Sequence, residues 1–202
     1  MTPSQESPMI DLTPSTTRVA ALIPAVREEH LDAPTPMGAP VVQLLNHLLG
    51  LTVAFRDAAA KIEGPTTSTP PAPVLDPLPD GWRETLTIRL GQLAGAWQDP
   101  AAWDGMTMAG SVRFPAQACG LVALDEVLLH GWDLARATGQ DYRPTDTEAE
   151  AVLPIVTPDP DPEVAAAERE GMFGPPVPVA ADAPPFDRVL GFAGRDPAWS
   201  PA

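Results

Sequence analysis

The chain has 202 residues, with 44% hydrophobic residues, enough for one domain with a substantial core. Its 27 acidic against 12 basic residues give a formal charge of −15, which disfavours capture of nucleic acid or of an anionic membrane surface. A single cysteine, Cys119, rules out an intramolecular disulfide and a multi-cysteine zinc site. The first fifteen residues lack a basic segment followed by an apolar run, and no apolar stretch is long enough to span a bilayer. The expectation is a cytoplasmic protein, monomeric or homodimeric.

Proline divides the chain. Residues 34–40, 65–80, 154–162 and 174–185 are too rich in it to form helix interiors. Between these stretches the apolar residues recur every three or four positions, the period of a helix. The first predicted helix covers about 12–30, on Val19, Leu22, Ile23 and Val26, with Asp11, Ser15 or Thr16 as its cap and Pro24 as a possible kink. The second runs from Pro40 to about Glu63 and is apolar nearly all round, so it belongs at the centre. The third covers about 80–98, capped by Asp80 and marked by Trp82, Leu86, Leu90, Leu93 and Trp97. Residues 99–114 read as a loop or short hairpin. The fourth helix covers about 115–138 and stops at Gly139.

Shorter helices are predicted over 146–156 and 162–170. The tail from 172 reads as an ordered Pro-rich arm with one helix near 184–194. The whole is an all-α fold in a single domain, 1–202. Its bundle core covers about 12–140, and its C-terminal helices and arm cover about 141–202.

The fourth helix contains LVALDEVLLHGWDLARATGQ, residues 121–140. Glu126 and His130 lie at i and i+4, on one face and about 6 Å apart along the axis. Leucines and valines flank both, so an unpartnered carboxylate there would be costly. On the second helix His47 sits in a similar apolar run, LLNHLLGL. If the two helices face each other, two imidazoles and a carboxylate meet, a donor set suited to a divalent transition ion with an open position.

Other readings stay open on spacing alone. His47 can be a hydrogen-bonded core histidine, and Glu126 with His130 an ordinary helical pair. Asp133 is placed to receive the spare ring N–H of a ligating histidine, or to pair with Arg136 at i+3. Trp132 and Cys119 read as core packing, the latter about 10 Å along the helix from Glu126. His30 reads as an exposed residue near the end of the first helix.

Four separated blocks carry a resemblance: LDAPTP at 31–36, LLNHLLG at 44–50, DEVLLHGWDLARATGQ at 125–140 and FDRVLGFAGRDPAW at 186–199. In order and separation they resemble the mycothiol-dependent maleylpyruvate isomerase-like metal-binding proteins, a branch of the DinB-like four-helix bundles, and most closely its single-domain actinobacterial members. The resemblance implies a DinB-like bundle that holds a divalent ion, usually zinc, through His47, Glu126 and His130. It implies mycothiol as a co-substrate, with a small thiol and a small electrophile as partners in a transferase or isomerase reaction. Two departures stand out. The family pattern after PTP has a cysteine, with a tryptophan three residues on, where this chain has Met37 and Pro40. The isomerases also carry an additional C-terminal domain, and here the sequence closes with a short arm. A non-catalytic metal- or ligand-binding bundle is the alternative expectation, and a purely structural polar cluster is a third.

Overall fold

Pro24 ends the first helix early. In the computed structural model, which describes residues 9–70, 74, 77–169 and 172–201, α1 spans Thr13–Leu22 and tightens into a 3-10 turn over Ile23–Ala25. A proline cannot donate to the carbonyl four residues back, and its ring crowds that carbonyl. The backbone leaves the helix at Val26, and a separate 3-10 turn covers Glu28–His30. The single helix expected over 12–30 is therefore broken. His30 belongs to that turn, where its Nδ1 accepts the Arg27 amide at 3.2 Å. The cap is also displaced: Leu12 holds the N-cap position, and the Asp11 carboxylate accepts the Thr13 amide at 2.8 Å. Ser15 and Thr16 lie buried inside the helix.

Pro40 sits one residue before α2, Val41–Ala59, with its φ of −71° ready for the first turn. Pro65 likewise opens α3, the single turn Pro65–Ser68, inside a stretch read as too proline-rich for a helix interior. Then α4 spans Trp82–Ala96; its N-cap is Gly81 in a left-handed conformation, not Asp80. Strands β1 (Met106–Ala109) and β2 (Val112–Pro115) pair antiparallel, so residues 99–114 do contain the hairpin. The turn between them has positive φ at both Gly110 and Ser111, the requirement of a type I′ connection. The Thr107 hydroxyl donates to the Ala58 carbonyl at 2.6 Å and pins the hairpin to the end of α2.

The longest helix, α5, spans Ala116–Ala137. Beyond its end the Gln140 amide returns to the Ala135 carbonyl at 2.8 Å, with Gly139 at a φ of +68°. That closure needs the left-handed conformation, which glycine adopts without strain.

Helices α1, α2, α4 and α5 form a closed ring in which α2 and α1 each pack against both α4 and α5. Leu44, Leu48, Leu86, Leu90, Leu93, Leu124 and Leu128 fill its interior and are essentially inaccessible to water. Each such leucine contributes roughly 1.5–3 kcal/mol of burial. At one end Trp97 and Trp103 meet edge to face at 5.0 Å, over the bare backbone of Gly120.

Outside the ring lie α6 (Asp146–Val156), α7 (Pro162–Arg169) and α8 (Pro185–Phe192). The predicted end of α7 at residue 170 lies outside the described residues. Pro154 falls in the last turn of α6, within a stretch read as too proline-rich for a helix interior. The start of α6 is stabilised by a reciprocal cap between Thr145 and Glu148. Arg18 grips the same glutamate with two hydrogen bonds, at 3.2 and 3.1 Å, and so ties α1 to α6. The arm is ordered and wraps back: α8 packs on α6, and the Arg136 guanidinium donates to the Trp199 carbonyl. Among the described residues no helix is long and apolar enough to cross a membrane.

Candidate metal centre

Because α2 and α5 are neighbours in the ring, residues 79 positions apart meet. His47 Nε2 lies 3.3 Å from Glu126 Oε2, and His130 Nε2 lies 2.9 Å from the same oxygen. The two imidazoles stand edge to face with centroids 4.8 Å apart. One nitrogen of each histidine and one glutamate oxygen all fall within 4.8 Å of one another, close enough to hold a metal ion together. All three residues predicted for the site are thus brought together.

The site is anchored on one side and open on the other. The His130 side chain is only 9% exposed, whereas those of His47 and Glu126 are 25% and 30% exposed. Glu126 is therefore not the fully enclosed carboxylate that its apolar neighbours in sequence imply. Solvent reaches His47 and Glu126 from that flank.

Behind His130 the polar chain continues inward. Its Nδ1 lies 3.1 Å from Asp133 Oδ2, within hydrogen-bond distance. Asp133 is fully buried, and Arg195 of the C-terminal arm grips it with Nε to Oδ1 at 3.0 Å and Nη2 to Oδ2 at 2.8 Å. Asp133 thus lies where it can receive the ring N–H of His130, as one of the two sequence readings placed it. Its basic partner is Arg195, 62 residues away, and not Arg136, which serves the Trp199 carbonyl. Sequence reasoning missed Arg195: no helical spacing connects it to α5, and its one signal is its place in the FDRVLGFAGRDPAW block.

Charge balance sets the protonation of the metal-free cluster. Burial pushes the Glu126 carboxyl up, but hydrogen bonds from His130 and His47 and their positive charge hold it well below the usual carboxylate range. Burial pushes His130 down, but its bonds to Asp133 and Glu126 and their negative charge raise it to about 9. Asp133 is opposed by burial yet held low by the Arg195 charge and by hydrogen bonds from His130 and Arg195.

A second buried acid went unnoticed in the sequence. Asp125 is 2% exposed, its Oδ1 has no hydrogen-bond partner among the described residues, and burial together with the Glu126 charge pushes its carboxyl up to about 8. One position before Glu126 on the same helix, it projects about 100° away from the Glu126–His130 face, so helical spacing does not join it to the site.

Two histidine nitrogens with a carboxylate oxygen form a borderline-soft donor set that fits zinc and its neighbours. The spare nitrogen of His130 already has the carboxylate partner that metal-bound histidines usually have. Cys119 is fully buried, and burial pushes its thiol up to about 12, so it is an inert core thiol. Trp132 packs in the core at 6% exposure. Met37 sits 38% exposed in a tight turn ahead of α2, where the Gly38 amide donates to the Thr35 carbonyl at 2.8 Å. Comparison of the chain with protein-family models, with curated proteins and with solved structures returned no match.

Proposed function

We propose that the chain is a divalent-metal-binding, DinB-like helical bundle that uses zinc at His47, Glu126 and His130 in a thiol-dependent transferase or isomerase reaction of the mycothiol type. The observation that carries this reading is the convergence of three ligating atoms within 4.8 Å, beside a solvent-open flank. A bound divalent ion would supply the positive charge that keeps a small thiol deprotonated at neutral pH. The protein's own part is positional. His130 is fixed from behind by Asp133, while His47 and Glu126 form the accessible rim where a thiol and an electrophile would meet. Two neutral imidazoles and one carboxylate offset only one unit of a divalent charge, so the site favours an incoming anion.

A second reading, a metal- or small-ligand-holding bundle without turnover, is favoured by one observation: Met37 stands where the resemblance expects a cysteine. Elemental analysis of protein purified without added metal tests the shared premise. About one ion per chain is expected, falling to background in His47→Ala with unchanged helicity. Full metal content in His47→Ala would refute the pairing of α2 with α5 at this site. Thiol consumption in the presence of an electrophile, measured against a variant with all three ligands replaced by alanine, then separates the two readings.

A further inference from the structure

The end of α8 delivers Arg195 to Asp133 by local backbone geometry. Ala193 is the C-cap, and Gly194 follows with a φ of +80°. The Gly194 amide returns to the Gly191 carbonyl at 3.1 Å and the Arg195 amide to the Leu190 carbonyl at 2.8 Å. This is the paired closure of a Schellman motif. A side chain at position 194 is excluded twice, by the positive φ and by the Gly174 backbone, which a Cβ would approach to 2.8 Å. The turn sends the Arg195 side chain inward, where it is 8% exposed. One Nη hydrogen goes to the Ala193 carbonyl at 3.1 Å, and the Nε and second Nη grip both oxygens of Asp133.

A carboxylate held at both oxygens by one planar guanidinium has little freedom to rotate. Its Oδ2 is therefore fixed opposite His130 Nδ1; a proton held on that nitrogen would leave Nε2, which faces Glu126 at 2.9 Å, as the ring's ligating atom. We propose that Arg195 is a positioning residue of the metal centre: acting through Asp133, it sets the orientation and tautomer of His130 and so couples docking of the C-terminal arm to metal affinity. The inference rests on the metal-binding reading above. The coupling is reciprocal: an ion that holds His130 in this orientation also favours the docked arm.

The test compares wild type with Arg195→Gln, Arg195→Lys, Asp133→Asn and the double variant Asp133→Asn/Arg195→Gln, all shown to be helical by circular dichroism. Zinc affinity is read by chelator competition, cobalt(II) absorption reports the ligand field, and nitrogen NMR of the metal-free protein above about pH 10, where the ring has lost its second proton, reports the His130 tautomer. Loss of such an outer partner typically weakens metal binding by roughly 10- to 100-fold, and that range is expected for Arg195→Gln. Arg195→Lys keeps the charge but loses the two-pronged grip, so a partial loss is expected. In the Asp133→Asn background the same Arg195 substitution should cost less than about threefold, because a residue acting through another is not additive with it.

Metal-loaded wild type alongside unchanged affinity, cobalt spectrum and His130 tautomer in Arg195→Gln would overturn the inference alone. Losses that multiply in the double variant would do the same, since they mean Arg195 acts independently of Asp133. Wild type that takes up no zinc or cobalt would overturn the metal reading and the inference with it. Should Arg195→Gln fail to fold, Arg195→Lys carries the same comparison.

Discussion

On the metal-binding reading proposed above, the proton on His130 makes ion uptake a pH-dependent exchange that can be counted. In the metal-free protein this ring is raised to about 9 by Asp133 and Glu126, so at pH 8 it is still mostly protonated. An ordinary imidazole, near 6.5, would hold only about 3% of its proton there, against about 90% for His130. An ion needs the free Nε2 lone pair and must displace that proton. Uptake at pH 8 should therefore release about 0.9 proton from this residue, and affinity should rise about tenfold per pH unit, roughly 100-fold between pH 6 and 8. That is about 2.7 kcal/mol.

The sign for folding is opposite. A histidine whose folded value lies above its unfolded value contributes stability that is complete below about 6.5 and is lost as pH rises through 9. The protein without an ion should thus lose stability over the same range in which the proposed ion affinity grows. Isothermal titration of zinc at pH 8, in two buffers of different ionisation enthalpy, gives the proton count directly. Asp133→Asn removes the group that holds the proton and should lower that count. A wild-type release below about 0.3 proton at pH 8, or a full release that persists in Asp133→Asn, would refute this account of the cluster.

Other outcomes follow from the same coordinates. Asp125, raised by burial to about 8, protonates more readily folded than unfolded, so its contribution to stability falls as pH rises from about 4 to 8, by up to about 1.4 kcal/mol per unit. Urea unfolding of metal-free Asp125→Asn should show a visibly flatter decline between pH 5 and 7 than wild type. Ser111 sits at a φ of +71° in the hairpin turn, and Ser111→Gly should raise stability by about 1 kcal/mol, read as a higher midpoint in thermal unfolding. Gly120→Ala would place a methyl carbon 2.5 Å from the Trp103 ring and 2.9 Å from Trp97. A loss of roughly 1–3 kcal/mol is expected, with a changed tryptophan fluorescence as the accompanying sign.

How far the chain could be read in advance depended on the range of the interactions. The helical segments were legible because Leu86, Leu90, Leu93 and Trp97 repeat at local spacing and all face one core. The stop at Gly139 was legible for the same reason, since a left-handed closure is a property of one short stretch. The first helix was drawn too long because its apolar period runs on past Pro24, while the backbone obeys the proline. The candidate metal triad was half legible. Glu126 and His130 share a helix and His47 stands out as the histidine of the other apolar run, but nothing in spacing says which face of α2 meets α5. Arg195 and the lack of a partner for Asp125 Oδ1 among the described residues were not legible. The first depends on an arm returning from 62 residues away, the second on what fails to lie next to a side chain.

The asymmetric setting of the three donors also bears on kinetics. With His130 held from within and Glu126 about a third accessible, an ion could leave through the His47 flank while the helices stay packed. Exchange of any ion held at this cluster against an external chelator should then outrun global unfolding, so that the site equilibrates with its surroundings instead of trapping whichever cation it met on folding.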